Sequence, residues 1–261
     1  MYLPFGYQEF PAHWSPDQPI EADWSYVAPQ AGLHRVLPDG RIDLLTHFRL
    51  DEAGAMSDLQ LIIAGPSTTF FDVPVQTGSA FLGVRFRAGW GGACLGVEPA
   101  AICDLTLVGG QVDALLGAHA APLNLACNVI ELHAALRDVS NALAARAQPV
   151  VSTQTQEAID LLHVSGGRLH VAELARRAGT SERSLRRAMQ QAVGLPVKTL
   201  ASILRFQRTV RLLRADPALS LTAAAEEGGY SDQAHMAREF RRFGGFAPSD
   251  RNVLAHGDLP L

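Results

Sequence analysis

VAELARRAGTSERSLRRAM, residues 171–189, and TAAAEEGGYSDQAHMAREF, residues 222–240, carry one short pattern twice, roughly fifty residues apart. In each, an alanine-rich helix runs into a glycine turn and then into an arginine-bearing helix. Small residues stand where two helices must cross closely, Ala175 and Ala225, and four residues later each copy has a glycine, Gly179 or Gly229, able to take the positive φ of a tight turn. Ser181 in the first copy, and Ser231 or Asp232 in the second, can accept the unpaired amide hydrogens of the helix that follows. Leu174, Ala175, Leu185 and Met189 are spaced to form one apolar face across the turn. This is the helix-turn-helix pattern. One match says little, because any helical hairpin needs a small crossing residue and a turn glycine. Two in register say much more, and they predict two helices presented to the grooves of DNA.

Outward from these repeats, charge divides the chain. Residues 1–150 hold 7 arginines against 15 acids, a net −8, whereas residues 151–255 hold 15 Lys or Arg against 10 acids, a net +5. The basic half is nearly all arginine, Lys198 being the only lysine, and guanidinium suits bidentate contacts to phosphate and guanine. With 261 residues, 48% of them hydrophobic, two domains can each bury a core. We expect a sensor or dimerisation domain over residues 1–150, a DNA-binding domain over 151–255 and a tail over 256–261. Cys94, Cys103 and Cys127 fit no zinc spacing and read as reduced, mostly buried thiols. The opening MYLPFGYQEFPAHW has neither a basic n-region nor an apolar h-region, and no stretch approaches a membrane span, so a cytoplasmic protein is expected.

In the acidic half, RIDLLTHFRL (41–50), LQLIIAG (59–65) and FLGVRFRAG (81–89) alternate with period two between Gly and Pro breakers, which predicts an antiparallel barrel or sandwich. Helices are expected over 111–116 and 123–146. The longer carries Leu125, Val129, Leu132, Leu136, Val139 and Leu143 as a heptad stripe, suited either to a homodimer seam or to the chain's own barrel. A linker is expected at AQPVVSTQTQ, 147–156, then helices over 157–164, through the first repeat, over 198–214 and through the second repeat.

The segment 170–252 resembles the DNA-binding domain of AraC/XylS-type transcription regulators, through LHVAELARRAGTSERSLRRAM, GLPVKTL, ILRFQRTVRLLR and, most specifically, GGYSDQAHMAREFRRFGGFAPS. The chain departs from the family pattern at Met189, Met236, Val197 and Glu227-Gly228-Gly229. The resemblance implies two helix-turn-helix units joined by a rigid connecting helix, each placing its second helix in successive major grooves. HRVLPDGRIDLL and GVRFRAG are similar to the sensor domain of a subgroup of the family and imply a cupin-like barrel. The expected fold is therefore α+β: an N-terminal antiparallel β-barrel with flanking helices, followed by an all-α tandem helix-turn-helix domain.

On the first second-helix, Arg183, Arg186 and Arg187 share one face with Ser184 between them; on the other, Gln233, Ala234 and Arg238 form the matching face, with Arg241 and Arg242 beyond. Arginine can read guanine, glutamine adenine, and alanine the thymine methyl, whereas Arg241 and Arg242 suit phosphates. His235 can bond a phosphate or serve the local turn. Arg205 is the best candidate for an internal ion pair. In the sensor half, Arg85 and Arg87, with Asp39, Asp43 or Trp90, can form a polar ligand site. His34 and His47 lack the HxH spacing of a cupin metal centre, so neither a metal nor another cofactor is expected. The expected partners are double-stranded DNA, a small-molecule effector, RNA polymerase and a second copy paired through 123–146. No catalytic residues are read. The alternative, a DNA-repair or DNA-modifying protein with a helix-turn-helix module fused to a catalytic domain, lacks the four-thiolate cluster of methyl acceptors and any legible Ser/His/Asp or paired-carboxylate arrangement.

Overall fold

In a computed structural model of the chain, which describes residues 3–11, 18–148, 152–250 and 253–254, the period-two segments form eight strands. They are β1 (Gly6–Pro11), β2 (Ile20–Val27), β3 (Gly32–Val36), β4 (Ile42–Leu50), β5 (Met56–Ala64), β6 (Phe71–Val75), β7 (Ser79–Phe86) and β8 (Thr106–Val108). Six make an antiparallel sheet in the order β1-β2-β7-β4-β5-β8, and β3 pairs with β6 as a separate two-stranded sheet. Side chains alternate across β4 and β7. Leu44, Leu82, Val84 and Phe86 enter the core beneath the flanking helices, while Leu45 and Phe81 face the other way, toward Val73 and Val75 of β6. The expected barrel is thus two facing sheets whose seam is not closed by ladder hydrogen bonds. The small β3–β6 sheet covers the cavity side of the large one.

Register matters at two places. Asp43 of β4 lies opposite Arg85 of β7, and Trp24 of β2 lies opposite Gly83 of β7. A Cβ at Gly83 would run into the Trp24 indole, so glycine here lets the ring lie flat on the sheet.

The flanking helices are α1 (Gly91–Leu95), α2 (Gly110–Leu116), α3 (Ala120–Asn124) and α4 (Val129–Arg146), with a 3-10 turn at Pro99–Ile102. The helix expected over 123–146 is broken. Asn128 Oδ1 accepts the amides of Ile130 and Glu131, and Glu131 returns a carboxylate to the Cys127 amide, a capping box that starts α4 six residues late. Val129, Leu132, Leu136, Val139 and Leu143 are buried against the chain's own sheet, and Leu125 is 76% exposed. The heptad stripe is therefore internal packing, and the homodimer seam expected along it is corrected on that ground.

The C-terminal helices are α5 (Thr153–Val164), α6 (Val171–Arg177), α7 (Glu182–Val193), α8 (Val197–Ala215), α9 (Leu221–Gly228) and α10 (Gln233–Gly244). The expected linker is shorter than read, because Ser152 caps α5 and Gln156 already lies inside it, donating to the Ala88 carbonyl. The boundary at 150–151 and the tail 256–261 lie outside the described residues. Cys94 is buried, Cys103 half-buried and Cys127 exposed, all free, so burial holds for only one thiol. No described helix is long and apolar enough to cross a membrane.

Candidate nucleic-acid interface

The two repeats close their turns with the same bond. Thr180 N–H donates to Ala175 O at 2.9 Å, and Tyr230 N–H to Ala225 O at 2.8 Å. Gly179 and Gly229 stand one residue before each donor at φ 64° and 85°, where a side chain would be strained. Ala175 and Ala225 are buried at the crossings. Ser181 Oγ then accepts the Ser184 amide to start α7, and Asp232 accepts the His235 amide at 2.6 Å to start α10. Of the two residues expected to share the second cap, Asp232 takes it, and that amide bond holds its carboxyl below the usual range. Between the units, α8 is buried at ten positions and carries Phe206, which meets Phe240 edge-on at 5.0 Å. Arg205 pairs with Glu239 at 3.3 Å, as expected of it, and locks α8 to α10.

Outward from this core, Arg183, Ser184, Arg186 and Arg187 are exposed on α7 while Leu185 and Met189 are buried. On α10, Gln233, Ala234, Arg238, Arg241 and Arg242 are exposed while Met236, Phe240 and Phe243 are buried. Several rest on neighbours. Arg186 reaches Glu182 at 2.8 Å, Ser184 accepts from Ser181, and Gln233 donates to Thr222 at 2.5 Å. His235 sits differently: half-buried, its Nδ1 is 3.2 Å from the Ser231 hydroxyl, its Nε2 3.5 Å from Glu239, and its ring edge-on to Tyr230. These partners fit the turn role.

Residues 174–251 match the model of a helix-turn-helix domain, over both repeats and the connecting helix. This part of the chain is a helix-turn-helix domain of the AraC type. Residues 13–107 match a domain of unknown function (DUF6597). A curated relative, the probable thc operon regulatory protein of Rhodococcus erythropolis, is 32% identical over 106 residues, 40% of this chain and 32% of its own length. The chain thus spans about a third of that relative. Among solved structures, an AraC-type regulator from Chromobacterium violaceum is 24% identical over 41% of this chain and 95% of its own, with a TM-score of 0.36. ToxT from Vibrio cholerae is 10% identical over 97% and 99%, with a TM-score of 0.46.

The AraC-type domain is held to the sheets at several points. Buried Gln207 of α8 donates to Pro38 O at 2.9 Å, and Gly194, just past α7, packs on the backbone of Pro99. Arg35 of β3 makes two bonds to Asp72 of β6, 2.8 and 2.9 Å, and donates a third at 3.1 Å to the Gly244 carbonyl that ends α10. Its guanidinium lies 4.4 Å from the centre of Phe70, and Thr69 Oγ1 donates to Arg242 O at 2.7 Å. A cation at a helix C-terminus meets its partial negative charge. The Arg35 bonds hold the Asp72 carboxyl below its usual range.

Asp72 also lines a cavity of about 290 Å³ between the two sheets. Its walls include Tyr7, Trp24, Tyr26 and Phe81, and Asp43 and Arg85 stand at one end. Arg85 meets Glu9 at 2.9 Å, Asp39 at 3.3 Å and Asp43 at 3.4 Å. Burial opposes its charge, but Asp43 and Asp39 prevail and hold its proton well above the ordinary range. Burial raises the Asp43 carboxyl despite Arg85. Of the five residues read from the sequence for a ligand site, Arg85 and Asp43 line the cavity and Asp39 supports Arg85. Arg87 lies past the end of β7 and pairs instead with Asp160 of α5 at 2.6 Å, and Trp90 stands before α1, against the core beneath the helices. Neither lines this cavity, and the sheet alternation that would have aimed Arg87 inward ends at Phe86. The sequence reading missed Tyr7, Trp24, Tyr26 and the Arg35–Asp72 pair. The alternation in IEADWSYV, β2, was the available signal for Trp24 and Tyr26.

Proposed function

We propose that this chain is a sequence-specific, DNA-binding transcription regulator in which α7 and α10 read adjacent major grooves and the two-sheet part, about residues 1–150, senses a small molecule. The observation that carries the reading is the identical turn bond in both repeats, each followed by a capped helix with an exposed arginine face. On α7, Arg183, Arg186 and Arg187 are assigned to the groove with Ser184 at its edge. On α10, Gln233, Ala234 and Arg238 are assigned to bases, and Arg241 and Arg242 to phosphates. The reader, about residues 151–255, performs no chemistry. It recruits RNA polymerase as a partner and works in the cytoplasm; a pairing of two copies would use a surface other than the buried stripe of α4.

The cavity is coupled to the reader through Arg35. An effector that separates or tightens β3 and β6 acts on the Asp72 side of the Arg35 clamp, and the clamp's other end is the α10 terminus. Only an effector with unequal affinity for the two arrangements changes DNA occupancy. Selection of bound fragments from random DNA tests the reading, repeated with Arg186→Ala and Arg238→Ala. Each variant is expected to lose preference at its own base positions, each bidentate contact being worth about 1–3 kcal/mol of discrimination. Enrichment of no sequence by the parent protein would reject sequence-specific reading; uniform loss across all sequences would mean these arginines hold phosphate only.

A further inference from the structure

The cavity between the sheets has a definite electrical sign. Arg85 and Asp43 line it, and behind them Arg85 and Arg41 face the carboxylates Glu9, Asp39, Asp43 and Glu21, of which Glu21 is taken up by Arg41 in two 2.7 Å bonds. These carboxylates outnumber the two guanidiniums, and Arg211 and Arg87, which act on Glu9 and Glu21, stand outside the lining of this cavity. Three of the five N–H donors of Arg85, at Nε, Nη1 and Nη2, already go to carboxylates. At the opposite wall Asp72 is neutralised by Arg35. Asp43, by contrast, is held loosely: its contacts to Arg85 are 3.4 and 3.5 Å, and its one shorter bond, 3.0 Å, comes from the Trp24 indole. A carboxylate oxygen has two lone pairs, so Asp43 can accept a short, charge-assisted bond from a guest. The remaining walls are mostly aromatic and aliphatic, with Tyr7, Trp24, Tyr26, Phe71 and Phe81 presenting rings and His34 and Thr106 the polar exceptions. Ring faces attract cations, and the volume stands near the lower end of the range usual for small-molecule sites, ~300–1,000 Å³.

We propose that this cavity binds an organic cation, a compact apolar or aromatic body bearing one protonated amine, with the ammonium set against Asp43 and the body between the rings. An anionic guest would add a further negative charge beside Asp43, and the guanidinium it would meet, Arg85, is already paired with Glu9, Asp39 and Asp43. A neutral guest gains the apolar contact without the ionic one. This deepens the reading of the cavity as the effector site, and rests on it for its regulatory meaning.

Calorimetric titration of the full chain with 1-naphthylmethylamine, 1-naphthalenemethanol and 1-naphthoic acid separates charge from shape, because the three share one body. The amine is expected to bind about tenfold tighter than the alcohol, and the acid weakest of all. In Asp43→Asn the preference for amine over alcohol should disappear while the alcohol's own affinity stays. Acid binding as tight as amine binding, no amine binding at millimolar concentration, or an unchanged preference in a folded Asp43→Asn protein would each overturn the proposal. The comparison of three ligands on the parent protein needs no variant to fold. If the acid or alcohol binds best and alters DNA occupancy, the effector site stands and the cation assignment falls; if the parent protein selects no DNA sequence, the regulator reading falls whichever ligand binds.

Discussion

Asp232 and Ser181 perform one task in two places, giving the amide of the third residue of a recognition helix an acceptor. Replacing Asp232 with alanine should cost about 1 kcal/mol, read as a lower urea midpoint, and should weaken DNA binding through the α10 unit. An unchanged midpoint would show that tertiary packing alone fixes the start of α10. Arg241 and Arg242 are exposed near the end of that helix. Their joint replacement by alanine should reduce the slope of log affinity against log salt by about 2 and leave base preference intact. A changed base preference would move them into the groove. His163 of α5 supplies a pH signature. Burial first, and then Arg41, depress its imidazole to about 3, and its Nε2 is buried without a partner. A base depressed in the folded state stabilises the fold above its unfolded pKa, about 6.5, and that stability drains away as pH falls toward 3. The urea midpoint of the parent should therefore drop between pH 7 and pH 5 more steeply than that of His163→Gln. Parallel profiles would contradict the assignment, and the opposite slope from the raised Asp43 carboxyl cancels in the comparison.

At the scale of elements, the β3–β6 pair is both the cover of the cavity and the clamp on α10. Arg35→Ala should speed hydrogen exchange at the last turn of α10 and leave the last turn of α7, which rests on Pro99, unchanged. Equal protection in both proteins would remove Arg35 from the coupling. Because Asp72 is held below the usual carboxylate range, the clamp should persist through neutral pH and open only in more acid solution. The elements differ in how far the sequence declares them. Helices α7 and α10 were legible because cap, turn and apolar face lie within twenty residues or so of one another. The start of α4 was misread because Leu125 continues the heptad spacing, and the Asn128–Glu131 capping box outweighs one apolar position in register. Strands β1 and β2 went unread although β2 alternates. β2 earns its place through pairing with β7, more than fifty residues downstream, and β1 through pairing with β2.

For the molecule as a whole, the DNA face could be read from local spacing, whereas the cavity and its coupling could not. Arg35 and Gly244 are 209 residues apart, Glu9 and Arg85 are 76, and no periodicity expresses such a meeting. Charge division anticipated the two roles, acidic sheets and a basic reader, but not that Gln207, Asp160 and Arg35 would tie one to the other. Rigidity of the tandem domain then rests on α8, with Phe206 and Arg205 binding it to α10, so the two recognition helices should meet the duplex as one body. Hydroxyl-radical footprinting on the selected DNA site measures that directly. The account predicts two protected patches on one face of the helix, centred about 10 base pairs or ~34 Å apart, with the proximal or distal patch lost in Arg186→Ala or Arg238→Ala respectively, or in the reverse orientation. A single patch, or two on opposite faces of the duplex, would contradict it.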